Sequence, residues 1–260
     1  AERAAESSCG GAGHPARLSL GAMSGRTRAA ILMVCSAAAF ACMGAFVKAA
    51  AATPLLDKVI VRNLVTLGIA GAIVLRQGDR LLGRRSSQPL LLARSLLGVG
   101  GVICYFYAID HLLLADATML TTLSPFFVAV FAALFLGERA PKTVIAAMVI
   151  GFLGGLLIVK PRFDLSVVPA LVGLASGAFA GAAYTALRAL RSREAPATII
   201  FHFSLVTVVG LAPLAAATLR LPRGMELAWL LGIGVSAAVG QFGLTLAYRH
   251  APAAEVSVYA

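Results

Sequence analysis

The spacing closest to a catalytic pattern in this chain is His111 followed by Asp116, repeated 139 residues later as His250 followed by Glu255. Such an H-x4-D arrangement would suit acyl transfer if the imidazole acted as general base and the carboxylate oriented it. Both copies fall at short connections between apolar runs, and a pattern that recurs through duplication needs no catalytic role. No phosphate-binding glycine loop, GxSxG elbow, dinucleotide fingerprint or zinc spacing occurs. The chain therefore reads as a non-enzyme that needs no cofactor and no metal. The polar side chains inside its apolar runs are mostly neutral: Asn63, Tyr105, Tyr107, Tyr184, Thr185, His202, Gln241 and Thr245. Polar groups at lipid depth face the protein interior or a water-filled cavity. Tyr105, Ser124, Tyr184, His202 and Gln241 are taken as substrate contacts, with helix-to-helix hydrogen bonding as the alternative role for each. All eleven acidic residues lie at or near span ends or in loops, which argues against a mid-membrane carboxylate relay. Arg94, one to two turns inside an apolar run, is expected to snorkel towards the cytoplasmic edge.

The elements that must position these groups are membrane helices. The 260 residues are 60% hydrophobic and 13% charged, with mean hydropathy +0.90, and the charges cluster between long apolar runs. That is the pattern of an all-α polytopic membrane protein; the short alternating segments of a membrane barrel are missing. Spans are predicted over 29–49, 59–76, 89–109, 114–136, 143–160, 167–187, 196–218 and 227–248, each long enough for a hydrocarbon layer of about 30 Å. The formal net charge of +11 comes from basic residues at helix ends, which anchor to head groups, so the partner is the lipid bilayer and not nucleic acid. Cys9, Cys35, Cys42 and Cys104 have no CxxC spacing and read as small core residues, neither disulfides nor metal ligands. Residues 1–28 read as a disordered cytoplasmic tail, of which 1–22, ahead of Met23, are expected to be upstream sequence.

The 139-residue shift serves several separate segments. It pairs Phe40-Ala41 with Phe179-Ala180, Ile60 with Ile199, Gly71 with Gly210, Gly101 with Gly240, Ala108 with Ala247, and Thr118 with Ser257. Internal duplication in a membrane chain is the build of many secondary transporters. The first unit is expected over 29–160 and the second over 167–260, ending two helices short of its counterpart. Fourteen Lys and Arg residues fall on one side of the predicted spans and seven on the other, the seven including Lys58, Arg62, Arg220 and Arg223. The excess places the N-terminus in the cytoplasm, and an odd number of helices per unit then inverts the second unit. Gly173, Gly177 and Gly181, at intervals of four, put glycine on one face of the sixth span and allow close helix packing. Pro125 lies within the fourth span, where it removes a backbone donor and should kink the helix; Thr121, Thr122 and Ser124 beside it line a cavity or satisfy the freed carbonyl.

From about residue 29 to 260 the chain resembles the EamA-type branch of the drug/metabolite transporter superfamily. The most specific stretch is YFYAIDHLLLADATMLTTLSPFFVAVFAALFLGERAPK, Tyr105 to Lys142, through Ala108, the turn LADAT, Ser124-Pro125 and the closing Leu136-Gly137-Glu138. Arg94 matches a basic residue common in the third span of such proteins, and Gly151 to Gly155 suits their fifth span. The resemblance implies ten helices in two inverted five-helix repeats, a central substrate cavity and alternating access; the ninth and tenth spans are lacking here. It implies a secondary transporter, an exporter or permease for a small organic metabolite such as an amino acid or drug-like amphiphile, in the cell inner membrane, as monomer or homodimer. Neutral and aromatic lining would suit a zwitterion or neutral amphiphile better than a dianion. The cavity is expected among the third, fourth, sixth, seventh and eighth spans, with Glu138 and Arg139 as a structural corner. A non-transporting assembly or lipid-handling factor is the alternative.

Overall fold

In hydrocarbon no water is available to the backbone, so each crossing segment must satisfy its own amides, and helices result. The computed structural model describes residues 24–138, 141–159, 167–216, 224–252 and 255. Its helices are α1 (Gly25–Ala49), α2 (Leu55–Gln77), α3 (Gln88–His111), α4 (Leu114–Thr121), α5 (Ser124–Phe131), α6 (Lys142–Val159), α7 (Val167–Leu190), α8 (Pro196–Ala215) and α9 (Met225–His250). Among the described residues, seven spans are long and apolar enough to cross a membrane, with α4, α5 and the wide turn Ala132–Leu136 forming one of them. The all-α polytopic reading holds. Arg139, Lys160, Arg162, Arg220, Arg223, Ser257 and the tail ahead of residue 24 lie outside the described residues.

Local chemistry sets the ends. The Ser24 Oγ accepts the Thr27 amide at 3.2 Å and starts α1. Gly137, at φ 68°, closes the wide turn after α5 in a left-handed conformation that glycine adopts without a Cβ clash. α1 packs on α9, α3 on α7 and α8, and α2 on α8 and α9. Large apolar side chains such as Val34, Leu75, Phe135, Ile150, Val209 and Val239 point outward, as a lipid-facing belt requires. Cys35 and Cys42 share this outer face as free thiols. This corrects their reading as core residues: in a bundle surrounded by lipid, an apolar run says nothing about which side faces inward.

Two separate apolar cores lie at opposite ends of the bundle. One gathers Met43, Val47, Val59, Ile60, Phe106, Ile109, Leu211 and Ile233. The other gathers Met33, Leu91, Val128, Leu187, Leu190, Ile199, Leu244 and Tyr248. Between them the fourth span is broken at Thr122 and Leu123. Pro125 has no N–H to offer the Thr121 carbonyl, so the helix restarts, with the Phe126 amide donating to the Leu123 oxygen at 3.0 Å.

The glycine ladder of α7 faces this break. A Cβ on Gly173 would lie 2.8 Å from Leu120 Cδ1, one on Gly177 would lie 3.2 Å from the Leu120 oxygen, and one on Gly181 would lie 2.5 Å from Phe127 Cβ. Gly181→Ala is therefore expected to destabilise the fold by about 1–3 kcal/mol through overpacking. Gly210→Ala, with no atom within 4 Å of the new methyl, should be neutral or slightly stabilising. Thermal unfolding of both variants in detergent checks the contrast.

Candidate functional site: a central cavity with two buried arginines

The space between the two apolar cores is a cavity of about 320 Å³, at the lower end of the roughly 300–1,000 Å³ typical of small-molecule sites. Its wall comes from α1 (Met33, Ser36, Phe40, Met43), α2 (Arg62), α3 (Arg94, Gly98, Gly101, Val102, Tyr105), the broken span (Thr118, Thr121, Thr122, Ser124), α7 (Ser176, Ala180, Tyr184), α8 (Phe203) and α9 (Gln241, Leu244). Tyr105, Ser124, Tyr184 and Gln241 thus meet on one cavity. His202 does not line it. Its Nδ1 sits 3.0 Å from the Ser95 Oγ, between α8 and α3. The first span, absent from the expected wall, supplies one whole side.

Most hydroxyls in the wall are already occupied. Thr118 Oγ1 donates to the Leu114 oxygen at 2.7 Å and Thr122 Oγ1 to the Thr118 oxygen at 2.9 Å. Ser36 Oγ donates to the Gly240 oxygen at 2.7 Å, tying α1 to α9. Thr121 and Ser176 hydroxyls meet at 2.9 Å across the α4–α7 contact. These threonines line the cavity and back-bond to their own helix; none of these bonds satisfies the Thr121 carbonyl freed by Pro125.

The strongest charges in the wall are Arg62 and Arg94, each 1% exposed. Sequence reasoning counted Arg62 with the charges at the outer edge of the second span and let Arg94 snorkel. Both expectations are overturned. Arg94 Nη2 donates to Gln241 Oε1 at 3.0 Å, and Arg62 Nη1 donates to Asn63 Oδ1 at 3.1 Å. Both guanidinium groups stand over the Phe203 ring, Arg94 at 4.3 Å and Arg62 at 5.6 Å from its centroid. Each such cation–π contact contributes about 0.5–2 kcal/mol, too little to replace the hydration of a cation at lipid depth. Gly98 makes room for the arrangement, since a Cβ there would lie 2.6 Å from Arg94 Nη1 and 2.9 Å from Phe203 Cε2.

Polar ties close each end of the bundle. At one end Lys58 Nζ meets Asp110 Oδ1 at 2.7 Å, Lys48 Nζ donates to the Ile109 and Leu112 oxygens at 2.7 and 3.0 Å, and Thr53 Oγ1 donates to Glu226 Oε1 at 2.7 Å. At the other, Arg188 Nε meets Glu138 Oε1 at 3.0 Å while its Nη1 donates to the Tyr248 oxygen at 2.8 Å, joining the end of the broken span to α7 and α9. Glu255, the second copy of the H-x4-D acid, pairs with Arg26 at 3.2 Å. In the first copy, His111 Nδ1 lies 2.8 Å from the Tyr107 oxygen and its ring stacks on Tyr107 at 4.0 Å; Asp116 sits buried in the first turn of α4. The imidazole is oriented by its own helix. Among the described residues, no group of His, Cys, Asp and Glu could hold a metal ion.

Residues 27–160 match the EamA-like transporter family. The pseudopaline exporter CntI of Pseudomonas aeruginosa is 40% identical over 232 residues, covering 88% of this chain and 81% of the exporter. A riboflavin transporter of Rhizobium johnstonii is 34% identical over 169 residues, covering 65% of this chain and 56% of the transporter. A solved crystal structure shares the fold at TM-score 0.70 and 18% identity, covering 90% of this chain and 81% of that chain. A bundle of membrane-length helices around a central cavity, with relatives named as exporters and transporters, defines a multi-pass membrane transporter for small molecules. The chain belongs to the EamA-like transporter family.

The Glu138 tie yields a stability prediction. Glu138→Ala is expected to lower stability by about 1–3 kcal/mol, because it leaves Arg188 without its carboxylate. The double variant Glu138→Ala/Arg188→Leu should lose less than the sum of the two single losses. A double-mutant cycle on thermal midpoints measures the difference.

Proposed function

We propose that the chain is an inner-membrane secondary transporter that moves a small organic metabolite by alternating access around the central cavity. The observation that carries this reading is a cavity held between two apolar cores, each flanked by polar ties that join separate helices. Opening one end needs the loss of a few hydrogen bonds and the parting of one apolar core, while the other end stays shut. The relatives named as a pseudopaline exporter and as a riboflavin transporter support an organic solute as cargo, and the first of them supports export.

The two-unit build, 29–160 and 167–260, is part of the same proposal. Shifted by 139 residues, α1, α2 and α3 fall on α7, α8 and α9 to within a few residues. The packing scheme is preserved when the units are exchanged: α1 on α9 becomes α7 on α3, α2 on α9 becomes α8 on α3, and α2 on α8 maps to itself. That exchange symmetry is what two units related by a pseudo-two-fold axis would show, and it supports inverted repeats within a ten-helix plan. An N-terminus in the cytoplasm follows from the excess of basic residues on that side. Tyr105, Ser124, Tyr184 and Gln241 are proposed as substrate contacts.

Reconstitution of the full-length protein in liposomes, with a metabolite flux screen, tests the reading. At least one organic solute should move faster than in empty vesicles. Ala37→Trp, which fills the cavity from α1, should reduce that flux at least about tenfold, the scale expected when a solute loses its seat, with folded yield retained. A correctly folded protein that moves no solute would sink the proposal.

A further inference from the structure

We infer that the cavity receives an organic anion, whose carboxylate group is held between Arg62 and Arg94 while its carbon skeleton lies against the apolar wall. This rests on the transporter reading above and narrows it to a substrate class.

Other deeply buried cations in the described bundle have carboxylate partners. Lys58 has Asp110 at 2.7 Å and Arg188 has Glu138 at 3.0 Å. Arg62 and Arg94 have neutral ones, the amide oxygens of Asn63 and Gln241 and the shared face of Phe203. Three of their buried nitrogens, Arg62 Nε with Arg94 Nε and Nη1, have no hydrogen-bond acceptor. A guanidinium carries five N–H donors and does not escape burial by losing its proton. Two like charges converging on one ring in a low-dielectric protein interior repel each other more strongly than they would in water. One negative charge placed between them offsets both and supplies the missing acceptors. A carboxylate matches the planar fork of a guanidinium with two parallel hydrogen bonds.

The rest of the wall selects among anions. Met33, Phe40, Met43, Val102 and Leu244 offer no replacement for the hydration shell of an inorganic ion. They offer dispersion and desolvation to a carbon skeleton. The expected occupant is therefore a carboxylate on an apolar or aromatic frame.

The test uses purified full-length protein in chloride-free buffer, with thermal unfolding as readout. The probes are benzoate, phenylacetate, succinate and citrate, each set against its neutral amide, with sodium chloride as a separate arm. At least one carboxylate should raise the midpoint in a concentration-dependent way that its amide does not. Arg94→Gln and Arg62→Gln should each abolish that response, while raising the ligand-free midpoint by about 2–4 °C because an uncompensated charge has gone. Arg94→Lys should keep part of the response. The inference is overturned if no carboxylate exceeds its amide, if chloride reproduces the effect, or if Arg94→Gln responds like the parent. Failure of both glutamine variants to fold would also overturn it, by making the arginines structural. Flux in liposomes separates this inference from the reading beneath it. Stabilisation by carboxylates without flux sinks transport and leaves the anion site. Flux undiminished in Arg94→Gln sinks the anion site and leaves transport.

Discussion

The arrangement of this bundle depends on one backbone carbonyl. Pro125 leaves the Thr121 oxygen without the amide that would follow it in a continuous helix, and hydrocarbon has no water to replace it. A break of this kind persists at membrane depth only where protein covers it. Here the cover is the glycine face of α7, where the position of a Cβ on Gly177 would be 3.6 Å from the Thr121 oxygen. Because α7 comes so close, Ser176 reaches Thr121, and the restarted helix turns Ser124 towards the cavity. The glycines, the proline and the cavity wall are one device.

The cavity itself sets stability against use. Two unneutralised guanidinium groups at lipid depth oppose folding, and the apolar cores at either end must offset them. Phe203 moderates the conflict by presenting one ring to both cations. Gly98 contributes by absence, leaving space into which Arg94 folds back along its own helix. Sites kept at such expense are commonly the ones a protein uses.

Much of this was legible in the sequence, and the parts that were not share a cause. Apolar runs marked the spans, because crossing a bilayer needs about 20 apolar residues whatever their order. Pro125 and the Gly173, Gly177, Gly181 ladder were readable because proline and glycine act on the backbone directly. Facing was not readable. When lipid and neighbouring helices are equally apolar, the 3.6-residue periodicity that orients a soluble helix fades. So Cys35 was read as core although it faces outward, and His202 was placed in the cavity although it meets Ser95. The α1 wall of Ser36, Phe40 and Met43 carried one small hydroxyl and no charge to flag it. Arg62 was misplaced for a related reason. The apolar run was begun at residue 59, which left Asp57 and Lys58 in a loop and put Arg62 within four residues of the span's edge, whereas the helix begins at Leu55. A basic residue eight positions into a 23-residue helix, with Asp57 and Lys58 before it, was the available clue.

The hydroxyl groups of the cavity have a consequence of their own. Thr118, Thr122 and Ser36 commit their protons to backbone oxygens, so they show the interior only lone pairs. The arginines show it only N–H groups. The chamber therefore offers both hydrogen-bond donors and acceptors to whatever enters it. A solute entering it must bring acceptors to the arginines and donors to the hydroxyls.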